Sequence, residues 1–218
     1  MRVAPLHVIL AGAALVVSVA AQHAPDRPAA DRSWIELAAG NQRFVSGKPA
    51  PHDLVARRKQ LVNGQNPHTT VLSCADSRVP PEMIFDQNLG DLFVVRSAGE
   101  SADPLSVGSI EYAVAHLGTT LVVVMGHQSC GAVTAACSGE KDESPNLEAV
   151  VRPITTSCSK IDKARPETLD LAVRDHVHTV ADELLAKSTL LKKAVDDGKL
   201  TIVEAYYSLD TGKVTKLR

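Results

Sequence analysis

The chain predicts an α/β fold with a mainly parallel central sheet flanked by helices and an N-terminal helical arm. Short β-branched, apolar runs recur at residues 69–73, 92–96, 120–126 and 200–207, and stretches of helical periodicity separate them. Strands that alternate with helices in this way build parallel sheets. Aromatics make up only 3% of the chain while Val, Leu and Ala are abundant, which suits strands covered on both faces. At 218 residues a single domain with a full core is the natural size. The formal net charge of −2 gives no reason to expect nucleic acid as a partner.

Taken in order, Met1 and Arg2 give a short positive start, and residues 8–19 are nearly all apolar. Ser18-Val19-Ala20 or Val19-Ala20-Ala21 then fits a cleavage site, so residues 1–21 read as a secretory signal peptide. The apolar run is short for a spanning helix, although an uncleaved, membrane-anchoring N-terminus is the alternative. The mature protein is therefore expected in the periplasm or otherwise exported, with no membrane association after cleavage. Residues 22–31, rich in Pro, Ala and Asp, read as a linker, and 32–218 as one domain. Ser33 followed by Glu36 has the form of a capping box and predicts a helix start. Trp34, Leu37, Ala38, Asn41, Phe44 and Val45 line one side of that helix, and Gly47 stops it.

A further helix is expected over 53–62, punctuated by Gly64 and Pro67. Val107, Ile110, Val114 and Leu117 give helical spacing over 106–117, ending at Gly118. A helix should begin at Gly131, a polar loop should span 141–146, and 147–197 should be helical with a break near Arg165-Pro166. A last strand precedes a turn at Leu209-Asp210-Thr211-Gly212 and a short extension. His52, His68 and the other scattered histidines lack ligand-like spacing and read as surface residues. No G-x-G-x-x-G or G-x-x-x-x-G-K-[ST] pattern supports a dinucleotide or nucleoside triphosphate site.

Two strand ends carry the chemistry. Val71-Leu72-Ser73 runs into Cys74, Asp76 and Arg78 at alternate positions, and Val122-Val123-Val124-Met125-Gly126 runs into His127 and Cys130. In α/β folds, sites lie beyond the carboxyl ends of strands. Two thiolates and one imidazole, Cys74, Cys130 and His127, form a donor set with the softness of a zinc site. Three protein ligands with an open fourth position are the catalytic arrangement, whereas a structural site would need Asp76 as well. The opposing readings are buried thiols or a disulfide for the two cysteines, and a surface ion pair for Asp76 and Arg78. Cys137 and Cys158 remain, either paired in an oxidising compartment or both small buried residues on helices.

Cys74-Ala75-Asp76-Ser77-Arg78 and Gly126-His127-Gln128-Ser129-Cys130-Gly131 resemble the two signature motifs of the β-class carbonic anhydrases. The resemblance extends through Gly40-Asn41-Gln42-Arg43-Phe44, Val95-Arg96-Ser97-Ala98-Gly99, Ser109-Ile110-Glu111-Tyr112-Ala113-Val114 and Tyr207-Ser208-Leu209-Asp210-Thr211-Gly212. It thus covers essentially the whole mature chain. It implies reversible hydration of carbon dioxide to bicarbonate and a proton, with one zinc per chain. It also implies an obligate dimer whose N-terminal helices cross to the partner and whose active sites lie near the interface, with assembly into tetramers left open. Asp76 and Arg78 become catalytic residues with two implied states. Held by Arg78, Asp76 stays off the zinc; released, it ligates the ion and closes the site. The family's bicarbonate-inhibited members resemble one another in a Trp three residues before the first Cys, where this chain has Val71. Gln65 is similar to the substrate-facing Gln of plant-type members, and Phe93 and Tyr112 match their pocket walls, while Ala98 is smaller than the residue expected there. Ordinary core packing is the bland alternative for Phe93 and Tyr112. The backbone N–H of Gly131 would assist oxygen binding. The open, plant-like site is expected.

The competing readings are a catalytically silent, zinc-stabilised binding protein of the same fold, and a thiol redox protein. Retention of Asp76 and Arg78 opposes the first, and the absence of a C-x-x-C pair opposes the second.

Overall fold

The computed structural model describes residues 27–140, 144–159, 162 and 167–218. The expected signal peptide and the predicted break near Arg165-Pro166 lie outside the described residues. The elements in order are α1 (Arg27–Val45), α2 (Leu54–Gln60), β1 (Thr69–Cys74), α3 (Pro81–Ile84), β2 (Leu92–Ser97), α4 (Pro104–His116) and β3 (Leu121–His127). There follow α5 (Gly131–Ser138), α6 (Pro145–Val151), a 3₁₀ helix (Arg152–Cys158), α7 (Thr168–Lys187), α8 (Thr189–Asp196), β4 (Thr201–Tyr207) and β5 (Val214–Lys216). The five strands lie in the order β2-β1-β3-β4-β5. All neighbours pair in parallel except β4 and β5, which are antiparallel. The expected α/β architecture with its mainly parallel sheet is therefore present.

Every residue of β1 and β3 is buried, because these central strands are covered on both faces. Alternation assigns their side chains to two cores. Val71, Val123 and Met125 join one with Leu37 of α1, Ile84 of α3 and Val133 of α5. Leu72, Val122 and Val124 join the other with Ile110 of α4, Val177 and Leu184 of α7, and Leu191 of α8.

α1 begins at Arg27, six residues before the Ser33 cap, so the helix takes over part of the expected linker. Ser33 is buried rather than capping an end. The termination holds, with Gly47 at φ 65 just past Val45. α1 lies close on α3, since a Cβ at Gly40 would stand 1.8 Å from the Phe85 carbonyl oxygen. Asn41 secures that contact by donating from Nδ2 to the carbonyls of Ile84 (3.1 Å) and Gly212 (2.8 Å), and its Oδ1 accepts from the Val214 N–H (2.9 Å). α2 and α4 start at Asp53 and Asp103, whose carboxylates accept from backbone N–H groups of their first turns. Ser188 separates α7 from α8, a break that the sequence pattern did not disclose. His176 departs from the expected surface placement. It faces inward from α7 and is 1% exposed.

Cys137, in the last turn of α5, is disulfide-bonded to Cys158 at the end of the 3₁₀ helix, 21 residues away. Closing a loop of that length in the unfolded chain is worth about 3 kcal/mol. The double variant Cys137→Ser/Cys158→Ser is therefore expected to melt roughly 10 °C below the parent in thermal unfolding monitored by circular dichroism. An unchanged Tm would mean that the helices hold together without the crosslink.

Candidate functional site

The parallel register places the carboxyl ends of β1 and β3 side by side, Ser73 beside Met125, so both polar loops emerge at one edge of the sheet. Cys74 closes β1, His127 closes β3, and Cys130 is the residue before α5. Ser129, at φ 54, turns the chain between the last two. The ligand-type atoms of Cys74, His127 and Cys130 all lie within 4.8 Å of one another, and all three residues are buried. The two sulfurs are 4.0 Å apart.

The hydrogen bonding fixes what each donor can offer. His127 Nδ1 lies 2.9 Å from the carbonyl oxygen of Gln128, which only accepts, so Nδ1 carries the ring hydrogen. The lone pair of Nε2 then faces the sulfurs, and Nε2 has no hydrogen-bond partner among the described residues. Cys74 Sγ accepts from the N–H groups of Asp76 and Gly99, each at 3.4 Å. The hydrogen bond from Cys130 is the largest influence on Cys74 and draws its pKa down to about 4. The same bond, followed by burial, pushes the Cys130 thiol above its ordinary value. The hydrogen bond between the sulfurs thus favours the thiolate at Cys74 and the thiol at Cys130, whose proton a cation among the three donors would displace. Two thiolates and an aimed, unpartnered imidazole nitrogen are the donor chemistry that zinc fits.

Asp76 stands at the mouth of this cluster, its Oδ2 3.9 Å from His127 Nε2. Arg78 grips it with two side-chain bonds, Nε to Oδ1 at 2.9 Å and Nη2 to Oδ2 at 2.7 Å, while the Arg78 backbone N–H adds a third at 2.9 Å. That guanidinium holds the Asp76 carboxyl well below the usual carboxylate range. Arg96, from β2, braces the turn by donating to the carbonyls of Cys74 (3.0 Å) and Asp76 (2.6 Å). Gly131, the first residue of α5, follows Cys130 directly.

Gln65, Phe93 and Tyr112 are not brought to this chain's cluster. Gln65 is exposed in the loop before β1, and Phe93 pairs in register with Thr70 near the start of β2. Parallel strands put those starts at the opposite end of the sheet, about 17 Å from Cys74 for a rise of ~3.3 Å per residue. Phe93 and Tyr112 pack together there, ring centroids 6.2 Å apart, with Tyr112 49% exposed. Both lie beside β2, which is an outer strand of the sheet.

Some contributors escaped the sequence reading. Gln128 is clasped by the turn after β4: its Nε2 donates to Asp210 Oδ2 (2.6 Å), and its Oε1 accepts from the Asp210 N–H (3.0 Å) and Ser208 Oγ (3.2 Å). Its backbone N–H donates to the Tyr207 carbonyl (2.9 Å), and its own carbonyl orients His127. Gly126 admits α7, since a Cβ there would stand 2.6 Å from Val177 Cγ2 and 2.9 Å from Val173 Cγ1. Glu100, completely buried beside Gly126, carried no sequence signal at all.

Residues 69–214 match the family profile described as carbonic anhydrase. Carbonic anhydrase 2 of Mycobacterium tuberculosis is 42% identical over 185 residues, which span 83% of this chain and 89% of that one. The carbonic anhydrase of Mycolicibacterium smegmatis is 40% identical over 186 residues, spanning 84% and 90%. Among solved structures, the β-carbonic anhydrase of Coccomyxa in complex with acetazolamide superposes with a TM-score of 0.66 at 25% identity, covering 86% of this chain and 83% of that chain. A tetrameric β-carbonic anhydrase of Sordaria macrospora shares the fold with a TM-score of 0.66 at 23% identity, over 86% and 92%.

Proposed function

The chain belongs to the β-class carbonic anhydrases, lyases that hydrate carbon dioxide reversibly, and we propose that it does so as a zinc enzyme with Cys74, His127 and Cys130 as the protein ligands. The unpartnered Nε2 of His127, aimed at two sulfurs, is the observation that carries this reading. A zinc ion held there would supply Lewis acidity, which would let water act as a nucleophile near neutral pH.

The chain's own residues perform the rest. Asp76, kept ionised by Arg78, accepts a hydrogen bond from the attacking water and turns its lone pair toward the carbon of carbon dioxide. Arg78 also keeps the carboxylate from swinging onto the ligands, which supports the open state of the site. The N–H of Gly131, at the start of α5, is available to the oxygen on which negative charge develops. Gln128 and Arg96 hold the two loops at fixed separation, so these groups need not reorganise during turnover.

Gln65, Phe93 and Tyr112 belong, in this reading, to the neighbouring copy's pocket in a homodimer. The place of Phe93 and Tyr112 at the outer strand β2, away from the chain's own cluster, supports that role. The Cys137–Cys158 disulfide supports residence in an oxidising compartment such as the periplasm.

The test is carbon dioxide hydration by the purified mature protein across pH, with zinc measured on the same sample. About one zinc per chain is expected, with activity already present near neutral pH. Activity should rise toward alkaline pH, because two thiolates donate more charge than neutral imidazoles and so temper the acidity conferred on water. Zinc-loaded protein that is silent at every pH would return the chain to a binding role. A profile falling from neutral to mildly alkaline would sink the assignment of the ligands.

A further inference from the structure

Glu100 is a buried acid that the hydration chemistry leaves unused. It is 0% exposed, and neither carboxyl oxygen has a hydrogen-bond partner among the described residues. Its backbone, at φ 27, lies in the left-handed region directly after Gly99 at φ 70. The side chain lies against β3, where Oε1 is 3.1 Å from the point a Gly126 Cβ would occupy, beside Val173 and Val177 of α7. An unpaired carboxylate in those surroundings would cost several kcal/mol. Burial first, and the charge of Cys74 second, push the Glu100 carboxyl well above its ordinary value, and no cation or donor faces either oxygen among the described residues, so the site favours the protonated form, an O–H donor.

His176 is its complement. It is 1% exposed, and its Nε2 stands 2.8 Å from the carbonyl oxygen of Gly99. That oxygen only accepts, so Nε2 carries the hydrogen and Nδ1 of the neutral ring is an acceptor. Burial also holds the ring below its ordinary pKa. Nδ1 has no partner among the described residues. A buried donor without an acceptor and a buried acceptor without a donor are thus attached to the same Gly99–Glu100 corner. That corner reaches the metal cluster, because the N–H of Gly99 donates to Cys74 Sγ at 3.4 Å. It is tightly enclosed as well, since a Gly99 Cβ would stand 2.6 Å from Ile154 Cδ1 and 2.9 Å from Ala132 Cβ.

We propose that Glu100 is a positioning residue whose carboxyl O–H donates to His176 Nδ1 across one buried water, so that the pair clamps the Gly99 corner onto Cys74. The inference rests on the reading of Cys74 as a metal ligand. Hydrogen bonds to ligating groups set their orientation and charge, and their loss typically weakens metal binding by about 10–100-fold.

The zinc-loaded protein labelled with nitrogen-15 histidine provides the first measurement, compared with Glu100→Gln and Glu100→Met. The wild-type His176 should be neutral, protonated at Nε2, with Nδ1 shifted as a hydrogen-bonded acceptor. Glu100→Gln keeps an N–H donor and should preserve that signature. Glu100→Met should abolish it, weaken zinc by about tenfold or more in chelator competition, and move the thiolate charge-transfer band of the cobalt-loaded protein. Glu100→Gln should restore the zinc affinity to within about twofold of wild type. A free lone-pair shift at Nδ1 in the wild type would overturn the proposal, as would a Glu100→Met protein with wild-type zinc affinity and an unmoved band. Equal damage from Gln and Met would also overturn it. Should Glu100→Met not fold, the His176 resonances of the wild type and of Glu100→Gln decide the matter. Failure of the ligand reading itself is distinguishable, because the wild type would then bind no zinc.

Discussion

Asp76→Asn should lower kcat/KM for carbon dioxide hydration by about 10²-fold or more while the protein keeps its zinc. The carboxylate makes no hydrogen bond to any of the three ligands, and its Oδ2 stands 3.9 Å from His127 Nε2. Its removal therefore leaves the donor set intact. What disappears is the charged acceptor that, in the proposed mechanism, orients the attacking water. The amide that replaces it also competes for Arg78, because one of its two termini is a donor facing guanidinium N–H groups that accept nothing. Buried hydrophobic packing is not at stake, since Asp76 sits in a loop beyond β1. Stopped-flow hydration assays with metal content measured on the same preparation would check this. An activity within about threefold of the parent would remove Asp76 from the chemistry.

Cys130→Ala should abolish both zinc retention and turnover, the largest effect expected of any single change. One of three donors is lost, and the remaining pair of Cys74 and His127 cannot enclose the ion. The loss should exceed the 10–100-fold typical of groups that only support a ligand. A second measurement separates lost metal from lost fold. A chelator should lower the Tm of the wild type, since an ion that binds only the folded chain stabilises it by mass action. The variant's Tm should match that of the chelated wild type and ignore the chelator. Zinc remaining at about one per chain in Cys130→Ala would show that the ion is held elsewhere.

Much of this was legible in the residues because the decisive signals are local. Each ligand loop follows an uninterrupted apolar strand, and β1, β2, β3 and β4 begin or end within a residue of the positions their pattern suggests. The two motifs therefore announce both the strand ends and the chemistry. What the sequence concealed is carried by contacts between distant segments. The Gln128–Asp210 clasp joins residues 82 apart, and the His176–Gly99 bond joins residues 77 apart. Neither has a periodicity or spacing to betray it. Buried His176 and Glu100 looked like ordinary polar residues because their burial follows from how α7 crosses β3, not from their neighbours in the chain. Gln65, Phe93 and Tyr112 were read from the resemblance as one group of pocket residues. Only strand direction, which a linear reading does not contain, reveals that they stand at the other end of the sheet.

The pairing of β1 with β3 has a consequence for how the proposed zinc site would assemble. Cys74 lies 56 residues from Cys130, and no local turn can bring them together. The ladder between the two central strands must close first, and that closure carries the chain entropy of a long loop. Until then the unfolded chain offers only the His127 and Cys130 end of the site, a weak two-donor claw. On the proposed ligand reading, full affinity would appear at the moment the sheet core forms, so uptake of the ion would become a clock for the slowest, least local event in folding.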